Sequence, residues 1–216
     1  IVPFERIVSD DDNVSQAPTR QQAINNLLSS SYNQASIIDM PPDVWPRLAP
    51  YNNDNNTIPT TPSNMPDFIW FDGPNNFAPS IKRGFATWSS EFTIYNGQTK
   101  HFVLFLNTFA DNAHNVKIEI ARTDTDPNQI IVSQPSNLDL ILQDGSMDPT
   151  TSAIEPDPIY NWQKIRYYSI PFSIGNTSGG PRKFRVVISF RVVNYNDGNQ
   201  PNPAGLAFVA DLYQQD

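Results

Sequence analysis

The chain has no cysteine in its 216 residues. Disulfides, thiol nucleophiles and thiolate zinc sites are therefore excluded. Charge is also scarce. Charged residues make up 17% of the chain, against roughly a quarter in ordinary soluble domains. The 14 Lys and Arg are outnumbered by 22 Asp and Glu, for a net charge of −8. A duplex nucleic-acid binder needs a basic face to displace counterions. None is visible, so no nucleic-acid partner is expected. The acidic excess is concentrated in the first 80 residues, where nine acids stand against three arginines. No run of 18 apolar residues occurs, so no membrane insertion is expected. Histidine is nearly absent too, with only His101 and His114.

Proline and aromatic residues are plentiful, at 20 prolines and 12% aromatics, and much of the polarity comes from Asn, Gln, Ser and Thr. That mixture suits an all-β protein with long, packed loops. The chain reads in two parts. Residues 1–80 form an N-terminal arm and proline-rich coil. Residues 1–8 alternate loosely and predict one short strand. Asp10-Asp11-Asp12 marks a solvated break. Thr19-Arg20-Gln21-Gln22 fits a capping box, with the Gln22 amide reaching back to the cap. Ala23, Ile24, Leu27 and Leu28 follow at helical spacing, which predicts a helix over 19–30. Residues 39–80 carry many prolines and predict a long coil. Trp45, Phe68, Trp70 and Phe71 are too apolar for a free linker, so the coil should dock on a sheet of this subunit or of a neighbour.

From about residue 85 the pattern has a period of two. Phe85–Trp88 with Glu91–Tyr95, 101–109, 116–122, 130–132, 138–142, 162–172, 184–193 and 205–213 predict about eight strands. Asn96-Gly97 supplies a tight turn with positive φ. Pro203 belongs at a strand start because it has no N–H for a ladder. Gly205 permits a close backbone approach or a bulge. The fold class expected is all-β: a jelly-roll β-sandwich over 81–216, behind a long extension with one short helix.

Three short motifs occur in order: Ala86-Thr87-Trp88, Ala110-Asp111-Asn112 and Asn202-Pro203-Ala204-Gly205-Leu206. Over residues 85–214 the chain resembles galactose-binding-like jelly-roll modules. In those modules a Trp-bearing strand is followed by an Ala-Asp-Asn corner and a last strand with an Asn-Pro-Ala-Gly-like lead-in. The strand after the corner departs from that pattern, ending in Arg122-Thr123-Asp124-Thr125-Asp126 instead of Asn-Gly. The resemblance implies a sandwich and an extracellular or particle-surface habit, and no ligand residue is carried over.

Candidate chemistry follows from residue types. Neither histidine sits near a Gly-x-Ser-x-Gly elbow. Glu91 and Glu119 are the carboxylates that a glycosidase pair would draw on, but an outward-facing Glu on an alternating strand is ordinary. Asp124, Asp126 and Asn128 place oxygens at alternate positions, as at the start of a calcium loop. Gln129 and Pro135 break the EF-hand pattern, so the only cofactor entertained is a structural calcium; a polar hairpin loop explains the same residues. Trp45, Trp70, Tyr195, Asn196 and Asp197 are candidate glycan contacts, because rings stack on sugar faces and amides and carboxylates bind hydroxyls. The competing reading is that Trp45 and Trp70 pin the coil down and that Trp88 and Trp162 are core. Phe4, Ile7, Trp45 and Phe68 are candidate assembly anchors: an arm of this kind either adds a strand to a neighbour's sheet or wraps its own domain. The expected function is a non-enzymatic structural subunit, a homo-oligomer or polymer on an extracellular, cell, virion or spore surface. The alternative is a carbohydrate-binding module.

Overall fold

Strict alternation of apolar and polar side chains gives a strand one buried and one open face, and two such sheets bury their apolar faces against each other. The computed structural model describes residues 3–31, 33–39, 41–43, 45–48, 65–72, 81–111, 113–125, 127–131, 165–194 and 203–215. In chain order the elements are β1 (Glu5–Val8), β2 (Ser15–Ala17), α1 (Arg20–Leu28), β3 (Asn33–Gln34), β4 (Ser36–Ile37), β5 (Ile69–Trp70), β6 (Lys82–Trp88), β7 (Phe92–Ile94), β8 (Thr99–Asp111), β9 (Ala113–Arg122), β10 (Gln129–Ile130), β11 (Arg166–Gly175), β12 (Arg182–Val193) and β13 (Gly205–Gln215). The first sheet runs β11-β8-β13-β5-β4, with β1 also paired to β13. The second runs β10-β9-β12-β6-β2-β3, with β7 also paired to β12. Every pairing is antiparallel. The expected all-β sandwich is thus the observed one.

The core lies between the sheets. Phe102, Leu104 and Leu106 of β8 and Leu206, Phe208 and Leu212 of β13 face Ile118 and Ile120 of β9 and Val186, Ile188 and Phe190 of β12. Phe190 stacks on Phe208 across the gap with ring centroids 4.7 Å apart. Phe102 meets Phe92 at 5.1 Å and Phe172 at 5.4 Å. Consecutive long strands switch sheets. The turn at Asn96-Gly97 makes one switch: Gly97 has φ of 78° and Gln98 N–H donates to the Tyr95 carbonyl. That turn carries the chain from β7 in one sheet to β8 in the other, so it is a corner between layers.

The arm is woven into both sheets. β1 pairs with β13 in the register Glu5↔Leu212 to Val8↔Val209, and β2 pairs with β6. The helix begins where the cap predicts. Thr19 Oγ1 accepts from Gln22 N–H at 3.2 Å, but the Gln22 side chain meets the Thr19 hydroxyl and does not return to its N–H. Ser29 is the C-cap, and Ser30 then turns left-handed with φ of 54°. α1 lays Ala23, Ile24 and Leu27 on the outer face of the second sheet, over Ala86 and Val187. Gly84 makes this possible: a Cβ there would lie 2.2 Å from the backbone nitrogen of Arg20. The strand candidate at 138–142 lies outside the described residues.

Candidate binding face

Each sheet has an outer face, and the arm covers part of both. On the first sheet, Phe109, Ala207 and Val209 point outward and are covered by Trp45, Leu48 and Phe68. The Trp45 ring rests against Gly205, where a Cβ would come within 2.7 Å of it. This is the close approach that the sequence allowed at Gly205. Trp45 Nε1 donates to Asp111 Oδ2 at 2.8 Å, and Asp111 is the register partner of Gly205. Two of the three short motifs therefore meet and hold the coil. Trp70 is also buried, and its ring packs on Phe71 and Phe85. As sugar-stacking residues Trp45 and Trp70 are corrected: at 4% and 2% exposure neither has a free ring face. Tyr195, Asn196 and Asp197 lie outside the described residues, as does Trp162, while Trp88 is partly buried under Arg185.

The assembly anchors are engaged within the chain. Ile7 is buried against the core, and Trp45 and Phe68 pack on each other and on Phe109. Phe4 packs edge-on to Phe92 and Phe102 yet stays 43% exposed. Two polar contacts fasten β1. Arg6 and Asp211, whose side chains are 6% and 8% exposed, form a two-bond ion pair at 2.6 and 2.9 Å. Glu5 accepts from the Ser90 N–H at 2.8 Å and from its hydroxyl at 3.0 Å, linking the first sheet to the second. Burial raises the Glu5 pKa against the lowering pull of those bonds. A groove of about 270 Å³ lies beside this clasp, lined by Glu5, Asp10, Thr87, Trp88, Ser90 and Arg185. A second, of about 320 Å³, is lined by Ile37, Arg47, Met65, Asp67 and Phe68. Burial, with Asp11 and Asp10 nearby, raises the Asp67 pKa.

The remaining chemistry is largely spoken for. Asp124 contacts Arg122 at 2.7 Å and Arg182 at 3.0 Å. The hydrogen bond from Arg122 leads a set of contacts that lowers its pKa to about 2. Asn128 donates to the Leu28 carbonyl, and Asp126 lies outside the described residues. The polar residues at the candidate calcium loop thus bind arginines and a helix end. No group of three or more His, Asp or Glu among the described residues is placed to hold a metal. Glu91 pairs with Lys183 and Glu119 with Lys117. His101 Nδ1 lies 2.7 Å from Ser173 Oγ on the exposed surface. His114 is buried in the interior without a hydrogen-bond partner. No helix among the described residues is long and apolar enough to cross a membrane.

On the other half of the outer face of the first sheet, large apolar side chains stay exposed. Tyr167 on β11 is 67% exposed and Phe105 on β8 is 47% exposed. Tyr213 on β13 is partly buried, and its ring meets Phe105 edge-on at 5.4 Å. Sequence reasoning missed this trio because Phe105 sits inside an almost unbroken apolar run, where both faces read alike. The signal was nevertheless there: His101 and Asn107 share the face of Val103 and Phe105, whereas Phe102, Leu104 and Leu106 share the other. Comparison with known proteins finds no matching family model and no matching curated protein. The resemblance to galactose-binding-like modules therefore rests on the three short motifs alone.

Proposed function

We propose that the protein is a non-enzymatic structural subunit of an extracellular or particle surface, such as an appendage, coat, virion or spore layer, whose copies join by exchanging N-terminal arms. One observation carries this reading. β1 closes the edge of β13 across more than 200 residues of sequence, through a four-residue ladder and the Arg6–Asp211 pair. Those contacts depend on the β13 edge and are indifferent to which copy supplies the strand. Exchange of an identical element is a low-cost route to association, and an unfilled edge is a template for strand addition. The polar, weakly charged surface suits broad contacts over electrostatic steering.

A cross-linking experiment tests it, and the lack of native cysteine makes it clean. Val8 and Val209 face each other in the ladder, at a separation that a disulfide can span. A Val8→Cys chain and a mass-tagged Val209→Cys chain are refolded together at high concentration and oxidised. Arm exchange predicts a covalent heterodimer whose yield rises with concentration. If cross-linking occurs only within a chain carrying both substitutions, and the mass stays at one copy throughout, the reading fails. The second reading, a carbohydrate-binding module, is favoured by the exposed rings on the first sheet.

A further inference from the structure

The structure assigns a glycan-binding platform to the outer face of the first sheet beside the arm, built on the exposed Tyr167 and Phe105 with the partly buried Tyr213 behind them. Register fixes their arrangement. Tyr167 is opposite Asn107, Phe105 is opposite Asp211, and Tyr213 is opposite Val103. Moving from β11 to β8 to β13, each ring therefore steps two residues along the sheet in the same direction. Diagonal neighbours of this kind lie about 7–8 Å apart. The three rings form one oblique ridge across three strands.

Four features select the ligand. Two exposed rings beside a partly buried third offer apolar surface to a flat, extended ligand, whereas small-molecule sites are concave, and neither groove includes any of the three. Among the described residues, the polar side chains around the ridge on this face are Asn107, Ser169, Ser173 and His101, the last held against Ser173 at 2.7 Å, and none of them is a carboxylate, a lysine or an arginine. The nearest charged pair among the described residues, Arg6 and Asp211, is bound to itself at 2.6 Å with side chains 6% and 8% exposed, so no described Lys, Arg, Asp or Glu on this face is left open to an ionic ligand. Finally, Pro171 lies in β11, the edge strand among the described residues. A proline has no N–H to offer, and its presence blunts an edge against strand addition. The chemistry that remains is a neutral polysaccharide lying across the ridge, with sugar faces on the rings and hydroxyls on the amide and serine side chains.

The test is affinity electrophoresis of the full chain in gels containing neutral polysaccharides (a β-glucan, a mannan and a galactan), with polygalacturonate as the anionic comparison. At least one neutral polymer should retard the protein. Tyr167→Ala and Phe105→Ala should each weaken retardation several-fold to about tenfold, while Tyr167→Phe keeps it. Tyr167 is 67% and Phe105 47% exposed, so the variants should melt close to the parent temperature, which calorimetry verifies. No retardation by any neutral polymer overturns the assignment, as does retardation that the alanine variants leave intact. Concentration-dependent mass that disappears in those variants assigns the ridge to a second copy and overturns it equally. The arm cross-link does not involve these residues, so the two readings fail separately.

Discussion

Trp45 Nε1 and Asp111 Oδ2 are joined by a 2.8 Å hydrogen bond, and the same indole ring lies on the bare backbone of Gly205. A methyl group at 205 would come within 2.7 Å of that ring. The ring is already wedged between Phe68 and Phe109, so it has little room to retreat. Gly205→Ala should cost about 1–3 kcal/mol of stability by overpacking. Urea denaturation measures this, and an unchanged midpoint would show that the coil lifts off freely.

Gly84 performs the same service for the helix on the opposite layer. Here the obstacle is backbone: the Arg20 nitrogen and the Thr19 carbonyl carbon lie 2.2 and 2.3 Å from the Cβ position. Gly84→Ala should therefore cost about 3 kcal/mol, at the upper end for overpacking, and should displace α1. Thr19→Ala removes only the cap and should cost about 1 kcal/mol. Equal losses from the two substitutions, measured by chemical denaturation, would contradict a packed helix seat.

The long strands were legible because each alternates: Val116, Ile118 and Ile120 point inward while Lys117 and Glu119 point out. The cap at Thr19 was legible because its chemistry is local. Of the arm's strands, only the one within residues 1–8 was legible, where β1 lies; β2 to β5 are two or three residues long, too short for a period to emerge. Their pairing is decided by what the longer strands leave uncovered, a property of the assembled sheets. Trp45 and Trp70 were ambiguous because a ring suits a buried seat and a sugar face equally. Only the partners, Asp111 and Gly205 for one and Phe85 for the other, distinguish the two uses.

The Arg6 and Asp211 side chains are buried and joined by two bonds. Removing one member leaves the other charge shielded from water and without its partner. Arg6→Met alone, or Asp211→Leu alone, should cost about 3–5 kcal/mol. The double replacement should recover most of that loss, since a well-packed apolar pair avoids desolvating two ions. A double-mutant cycle in urea checks the coupling. Additive losses would mean that the two side chains stabilise β1 independently.

His114 should set how the fold responds to acid. It sits on β9 opposite Val192, buried and without a hydrogen-bond partner. Burial first, and the nearby Arg166 guanidinium second, depress its pKa to about 4. The unfolded chain takes up its proton near pH 6.5, well before the folded one does. The stabilising preference is thus complete above pH 6.5 and is lost progressively as pH falls toward 4, by about 3 kcal/mol in all. Glu5 and Asp67 act in the opposite sense, because burial raises their pKa values and the folded state then favours their protonated forms. A comparison with His114→Leu isolates the histidine: both proteins share the carboxylates, and only the parent should lose additional stability between pH 6.5 and 4. Urea midpoints taken at half-unit steps across that window measure the difference. Parallel curves would mean that His114 finds a proton acceptor in acid and pays no penalty for its burial.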